Sequence, residues 1–339
     1  IDPVKGQFTV EPTAQRGVSR IYENDPGAFV CGRPAERPAD NRRPPANGGP
    51  PGGSESRADR SVSTSTGVTG NPTAAADTFA GNTMNDFWTG LVTPSGGTRI
   101  PLLALYNADM AAKAVALFGN LDGLRARMEA GIAITNAMMA RARATAYVEL
   151  VGMAQITFAE PAVPSSDTLL GLVKQAAEYS DLQVKYRPAL TAYIIAADNA
   201  PASGFVGVGN EPGTQSAIYY HYLNSSVTPH ELGHNFGMQH NVEDEPLPNK
   251  TIPYSFGWRL AGSNPRVGDV MSYPFPGVAT FQLPVYSDPT VTYQGMPLGD
   301  AQVADNARVA RERTATVAAY TTFQFGTMGD NWITNLSTR

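Results

Sequence analysis

Between positions 230 and 240 the chain reads His-Glu-Leu-Gly-His-Asn-Phe-Gly-Met-Gln-His, and no other stretch restricts the fold as much. On a helix, His230 and His234 stand one turn apart on the same face, so both imidazoles can reach a single metal ion. Glu231 lies beside them, where its carboxylate can take a proton from a water on the metal rather than bind the metal itself. Gly237 can leave the helix through a left-handed conformation and so bring His240 round as a third ligand. Three protein ligands leave one coordination position for water, as in catalytic zinc sites. The chain has four histidines and three of them fall in this motif, which concentrates its imidazoles where metal chemistry needs them. The fourth, His221 in Tyr219-Tyr220-His221-Tyr222, is expected to cap or line a strand.

The motif also places a short helix. Ser225, Ser226 and Thr228 are candidate N-caps, and Pro229 suits a first turn because its missing N–H has no partner there. The helix is expected to run from about Pro229 to Phe236 and stop at Gly237, with Leu232 and Phe236 turned into the core.

Other segments set the frame. Arg99 to Tyr106, Ala146 to Val151 and Thr191 to Ala196 read as strands. They are separated by a helical pattern from about 121 to 142 and a second near 166 to 179. Strands alternating with helices predict an α/β (α+β) domain with a mostly parallel sheet covered by helices. Two more strands are expected at Gly204–Val208 and Ala217–Tyr222, just before the metal-binding helix.

Residues 1–31 contain short apolar alternations at Gln7–Val10 and Ser19–Tyr22 that predict a hairpin or two strands. Over 32–96 Pro, Gly, Ser, Thr and Arg dominate, and apolar residues are too few to offset chain entropy, so a linker is expected. The globular domain is expected over 97–325 and a tail over 326–339.

Composition narrows the setting. A net charge of −5 and a pI near 5.4 argue against nucleic acid or anionic lipid as the main partner. No apolar run reaches the ~18 residues that span a bilayer. Ile1-Asp2-Pro3-Val4-Lys5 has neither the charged nor the apolar region of a signal peptide, so a secreted form is expected to have lost its signal already. The one cysteine, Cys31, excludes an intrachain disulfide.

Downstream, Asp269-Val270-Met271-Ser272-Tyr273 has the form of a Met-turn, in which a methionine packs beneath three metal-binding histidines. The two segments together resemble the metzincin clan of zinc endopeptidases. Arg99 to Tyr106, Leu121 to Ala142, Tyr286-Ser287-Asp288-Pro289, Gly295 to Gly299 and Ala304 to Arg308 are similar to bacterial reprolysin (adamalysin)-like metalloproteases. That resemblance implies a twisted, mixed sheet with covering helices and an active-site helix. It implies Zn2+ held by His230, His234 and His240, Glu231 as general base, Met271 as the floor of the site, and a protein or peptide substrate paired to the strand at the sheet edge. It also implies a secreted bacterial enzyme.

Two positions depart from the reprolysin pattern. Asn241 replaces the Asp that usually follows the third histidine, so any ion pair made there is lost. Tyr273 matches instead the tyrosine that serves astacins and serralysins as a movable fifth zinc ligand. The glycine-rich calcium repeats of serralysins are missing, so calcium is not indicated. Two other functional classes stay open: a catalytically silent module on the same fold, and a zinc hydrolase of non-peptide amides or esters. The position of the single cysteine suggests a latent precursor with residues 1 to about 31 as the end of an inhibitory prosegment. Cys31 precedes an Arg-containing linker and its thiolate could fill the open position, although the matrix-metalloprotease switch motif is absent and an inert buried thiol remains the alternative.

Overall fold

The computed structural model describes residues 79–88, 96–198, 204–244 and 252–321, together with the strands β1 (Gln7–Pro12), β2 (Ser19–Asn24) and β3 (Cys31–Gly32). The tail expected over 326–339 and most of the expected linker lie outside the described residues. β1 and β2 form the predicted antiparallel hairpin, with Val10 opposite Ile21.

Within the expected linker, β4 (Ala80–Gly81) and α1 (Met84–Trp88) are part of the folded domain. Phe87 is fully buried, edge-on to Phe79 and against Tyr293. An aromatic pair beside a strand end outweighs the polar character of the sequence around it.

The main sheet is built on β5 (Thr98–Tyr106), whose residues are buried from Ile100 onward. Such an unbroken apolar run is what a parallel strand covered on both faces requires. β6 (Ala146–Gln155) and β7 (Leu190–Ile195) flank it in parallel. β9 (Gln215–Tyr219) runs parallel to β7, and β8 (Gly207–Gly209) turns back antiparallel to β9. The strand order is β3-β8-β9-β7-β5-β6, so β3 forms the edge beside β8.

Helices cover this sheet. α2 (Ala108–Phe118) starts at Asn107, whose side chain accepts from the Met110 N–H. Sequence reasoning missed this helix. α3 (Asp122–Arg141) is the predicted long helix and buries Leu124, Met128, Ile132 and Met139. The single helix expected over 166–179 is instead two, α4 (Ser166–Val173) and α5 (Tyr179–Tyr186). The buried face of α4, Leu169, Leu170 and Val173, ends with the helix, and turn bonds such as Ala176 N–H to Val173 O separate it from α5.

α6 (Val227–Phe236) carries the motif. It begins two residues earlier than expected; Ser226 makes no side-chain cap, and Ser225 Oγ accepts the Val227 N–H at 3.2 Å. Gly237 ends it in the left-handed region, φ 92°, as the motif requires.

Beyond α6 the chain makes short strands: β10 (Gln239–Asn241), β11 (Phe256–Gly257), β12 (Arg259–Leu260), β13 (Val267–Gly268) and β14 (Phe281–Gln282). β15 (Asp288–Tyr293) and β16 (Met296–Leu298) form a hairpin onto which β4 pairs. The closing helix α7 (Asn306–Ala318) is capped by Asp305, which accepts from the Arg308 N–H. A second apolar cluster, including Phe87, Leu260, Leu283 and Tyr293, sits beneath these strands. No helix among the described residues is long and apolar enough to cross a membrane.

Candidate metal centre

α6 and β10 bring the three histidines of the motif together. The Nε2 atoms of His230, His234 and His240 are each 3.1 Å from the other two, and all three residues are buried. The far side of each helical imidazole is already used. His230 Nδ1 donates to the Val270 carbonyl at 2.7 Å and His234 Nδ1 to the Met238 carbonyl at 2.8 Å. With Nδ1 as the donor, each Nε2 presents a lone pair.

Lone pairs that face one another across 3.1 Å repel unless a cation stands between them. Ligands about 2.0–2.1 Å from one ion stand a little over 3 Å apart, so the spacing fits a shared metal. Burial also holds His230 in its neutral, ligand-ready form, lowering its pKa to about 4 against the opposing effect of the hydrogen bond it donates to the Val270 carbonyl. Among the described residues this is the one cluster of His, Cys, Asp or Glu with metal-binding spacing.

The surroundings lock the ligands. Gly237 and Met238 fold back on Gly233 and His234 through backbone bonds, which swings the chain into β10 and places His240. Glu211 Oε2 lies 3.7 Å from His234 Nδ1. Met271 is fully buried beneath the site, with its Sδ 2.6 Å from where a Cβ on Gly233 would stand. A side chain at 233 would push against the sulfur, so the glycine between the two helical histidines and Met271 are matched. Tyr273 stacks on the His240 ring, centroids 4.0 Å apart. Asn241, read from sequence as the loss of a charge, keeps a role by hydrogen bonding: its Oδ1 accepts the Tyr273 N–H at 2.8 Å and ties the third histidine to the Met-turn.

Glu231 is fully buried on the sheet side of α6. A Cβ on Gly207 would lie 2.4 Å from its Oε1, and one on Gly209 would lie 2.6 Å from its main-chain oxygen. Gly-Val-Gly in β8 therefore lets the helix and its carboxylate come this close. Sequence reasoning passed over Gly207. A glycine inside a strand is a usable signal of close approach, but nothing local says what approaches.

The Cys31 side chain lies outside the described residues, and only its backbone in β3 is placed. Its Cα is paired with that of Gly207 through the parallel β3–β8 pairing, and Gly32 is paired with Val208. His221 stands in a 3-10 turn rather than a strand, 3.4 Å from Asp198.

No established family profile matches the chain. It is 31% identical over 119 residues to a peptidyl-Asp metalloendopeptidase of Stenotrophomonas maltophilia (strain R551-3), covering 34% of this chain and 28% of that protein. It is 29% identical over 130 residues to a protein of the same name from Xanthomonas campestris pv. campestris, covering 38% and 30%. The chain resembles metallopeptidases. It matches less than a third of the length of these bacterial relatives. A solved structure described as that of a chaperone-substrate complex superposes on 66% of this chain and 36% of its own, with a TM-score of 0.50 and 16% identity, a likeness of fold alone.

Proposed function

We propose that this chain is a zinc-dependent endopeptidase of the reprolysin-like branch of the metzincins, with Glu231 as its general base. One observation carries the reading: the Nε2 atoms of three buried histidines converge within 3.1 Å of one another, and Glu231, next to His230 on the same helix, is fully buried. Zinc bound there would supply a Lewis acid that acidifies water and polarises the scissile carbonyl. Glu231 takes a proton from the attacking water and delivers it to the leaving amine. The close backbone of β8 keeps its carboxylate at that face. Tyr273 moves from its stack on His240 to donate a hydrogen bond to the developing oxyanion.

The names of the relatives extend the reading to cleavage directed by Asp, and their bacterial origin agrees with a secreted bacterial enzyme. The test is incubation of the zinc-loaded protein with a random peptide library, with and without a chelator, read by mass spectrometry. Chelator-sensitive cleavage beside Asp is the expected result. Intact peptides, or cleavage indifferent to the chelator, would leave the silent module or the non-peptide hydrolase as the better reading. For Tyr273→Phe the expected outcome is a fall in kcat at nearly constant KM, since the hydrogen bond forms only in the transition state; a pure KM effect would move Tyr273 to substrate binding.

A second reading concerns residues 1–31 as an inhibitory prosegment with Cys31 as the thiol that blocks the metal. What supports it is the parallel pairing of Cys31 with Gly207, the residue against which the Glu231 carboxylate packs. A segment added there takes the sheet edge an extended substrate needs. Arg57 and Arg60 are the proposed activation sites; Arg43 is a poorer one because Pro44 follows it. The uncut Cys31→Ala chain is expected to hydrolyse peptide faster than uncut wild type, and a thiol reagent to activate wild type. If neither happens, the thiol has no such role.

A further inference from the structure

Residues 274–280 form a loop, between Tyr273 and β14, that borders the metal centre at both ends. It leaves from Tyr273, stacked on His240. It returns at Gln282, whose Nε2 donates at 3.2 Å to the Val270 carbonyl, the same oxygen that receives His230 Nδ1. The loop is therefore anchored beside the metal centre at both ends.

Two guanidinium groups stand over Phe275 of the loop, Arg259 at 5.0 Å and Arg266 at 5.9 Å from the ring centroid. Their circumstances differ. Arg259 is nearly buried, and its donors are taken by Glu243, Asp244 and the Pro274 carbonyl, at 3.2, 3.2 and 3.1 Å. That arrangement fixes the start of the loop and neutralises the charge. Arg266 is half-buried, and among the described residues its guanidinium has neither a carboxylate nor a carbonyl partner.

A guanidinium held over an aromatic ring keeps its N–H edges available, and their fork matches a carboxylate. Resting on the Asp-directed endopeptidase proposed above, we infer that Arg266, supported on Phe275, is the specificity residue that receives the acidic side chain of a peptide substrate next to the scissile bond. Arg259 is the positioning residue that holds the loop in place for it. The ligand class is an aspartyl side chain in an extended peptide, and the fixed charge selects it over its neutral amide.

The experiment compares kcat/KM for peptide pairs identical except for Asp or Asn flanking the cleaved bond, on either side of it. It uses the zinc-loaded full chain and its Cys31→Ala variant, so that latency does not hide the result. Arg266→Gln is expected to lower the Asp/Asn ratio by roughly 10- to 100-fold, the worth of one charge-assisted hydrogen bond. Arg266→Lys, which keeps the charge without the fork, should retain most of the ratio, and Arg266→Glu should bring it below one. Arg99→Gln, on the exposed start of β5, serves as the control and should leave it unchanged. An Asp/Asn ratio in Arg266→Gln within twofold of wild type overturns the assignment, provided the variant melts as wild type does; should it not, the Lys and Glu variants decide by the same ratio. Cleavage of both wild-type peptides at equal rates also overturns it while leaving the peptidase reading in place. Failure of both forms to cleave any peptide, with zinc bound, overturns the peptidase reading itself.

Discussion

Replacing Glu231 by Gln is expected to keep the metal centre and the fold while lowering peptide hydrolysis by roughly 100- to 10,000-fold, the usual worth of general acid–base help. The amide has nearly the shape of the carboxylate, so it fits the space that Gly207 leaves open on β8. It cannot accept the proton of the attacking water. His230 and His234 keep their outer partners, because neither the Val270 nor the Met238 carbonyl depends on residue 231. Metal content by atomic absorption and single-turnover peptide cleavage check the two halves separately. A variant with full metal content and more than a few per cent of wild-type activity would remove Glu231 from the chemistry. Loss of metal together with activity would make Glu231 a structural support of the site.

Gly131→Ala is expected to have the largest effect on stability. Gly131 lies midway along α3, where the start of α6 crosses closest, and a Cβ there would stand 2.0 Å from the Leu223 carbonyl oxygen and 2.7 Å from Thr228 Oγ1. Those two atoms are themselves bonded at 2.7 Å, so neither can move alone. In an open helix the change would gain about 0.5–1 kcal/mol from propensity. Overpacking against main chain costs about 1–3 kcal/mol or more, and here it wins. A net loss near 2 kcal/mol lowers the Tm of a domain of this size by roughly 4–8 °C. Because the displaced element is the first turn of the metal-binding helix, zinc affinity should fall as well. Thermal melts with and without zinc measure both effects. An unchanged Tm would mean that α3 and α6 can separate at no cost.

Much of the centre was legible beforehand because its information is local. The spacing of His230 and His234 follows from helical periodicity, and the left-handed exit at Gly237 follows from the one residue type that adopts it cheaply. The central strands were legible for a related reason: β5 and β7 are continuous apolar runs, and few environments other than a covered parallel sheet accept them. Where local signals compete, sequence reasoning went astray. The pattern near 166–179 looked like one helix because its apolar residues nearly keep period, while the structure breaks it after Val173. Residues 79–88 looked like linker because their neighbours are polar, while Met84 and Phe87, with Phe79 beside them, secure them to the second core.

By itself, then, the sequence determined which residues can bind a metal, which carboxylate accompanies them, and that strands and helices alternate, since these properties repeat at fixed intervals along the chain. The tertiary structure alone decided that Gly207 faces Glu231, that Asn241 ties the third histidine to Tyr273, that Cys31 pairs with the strand beside the site, and that Arg259 is neutralised while Arg266 is not. Each of those is a contact between segments many residues apart, set by how the sheet and α6 pack, and no periodicity within either segment encodes its partner.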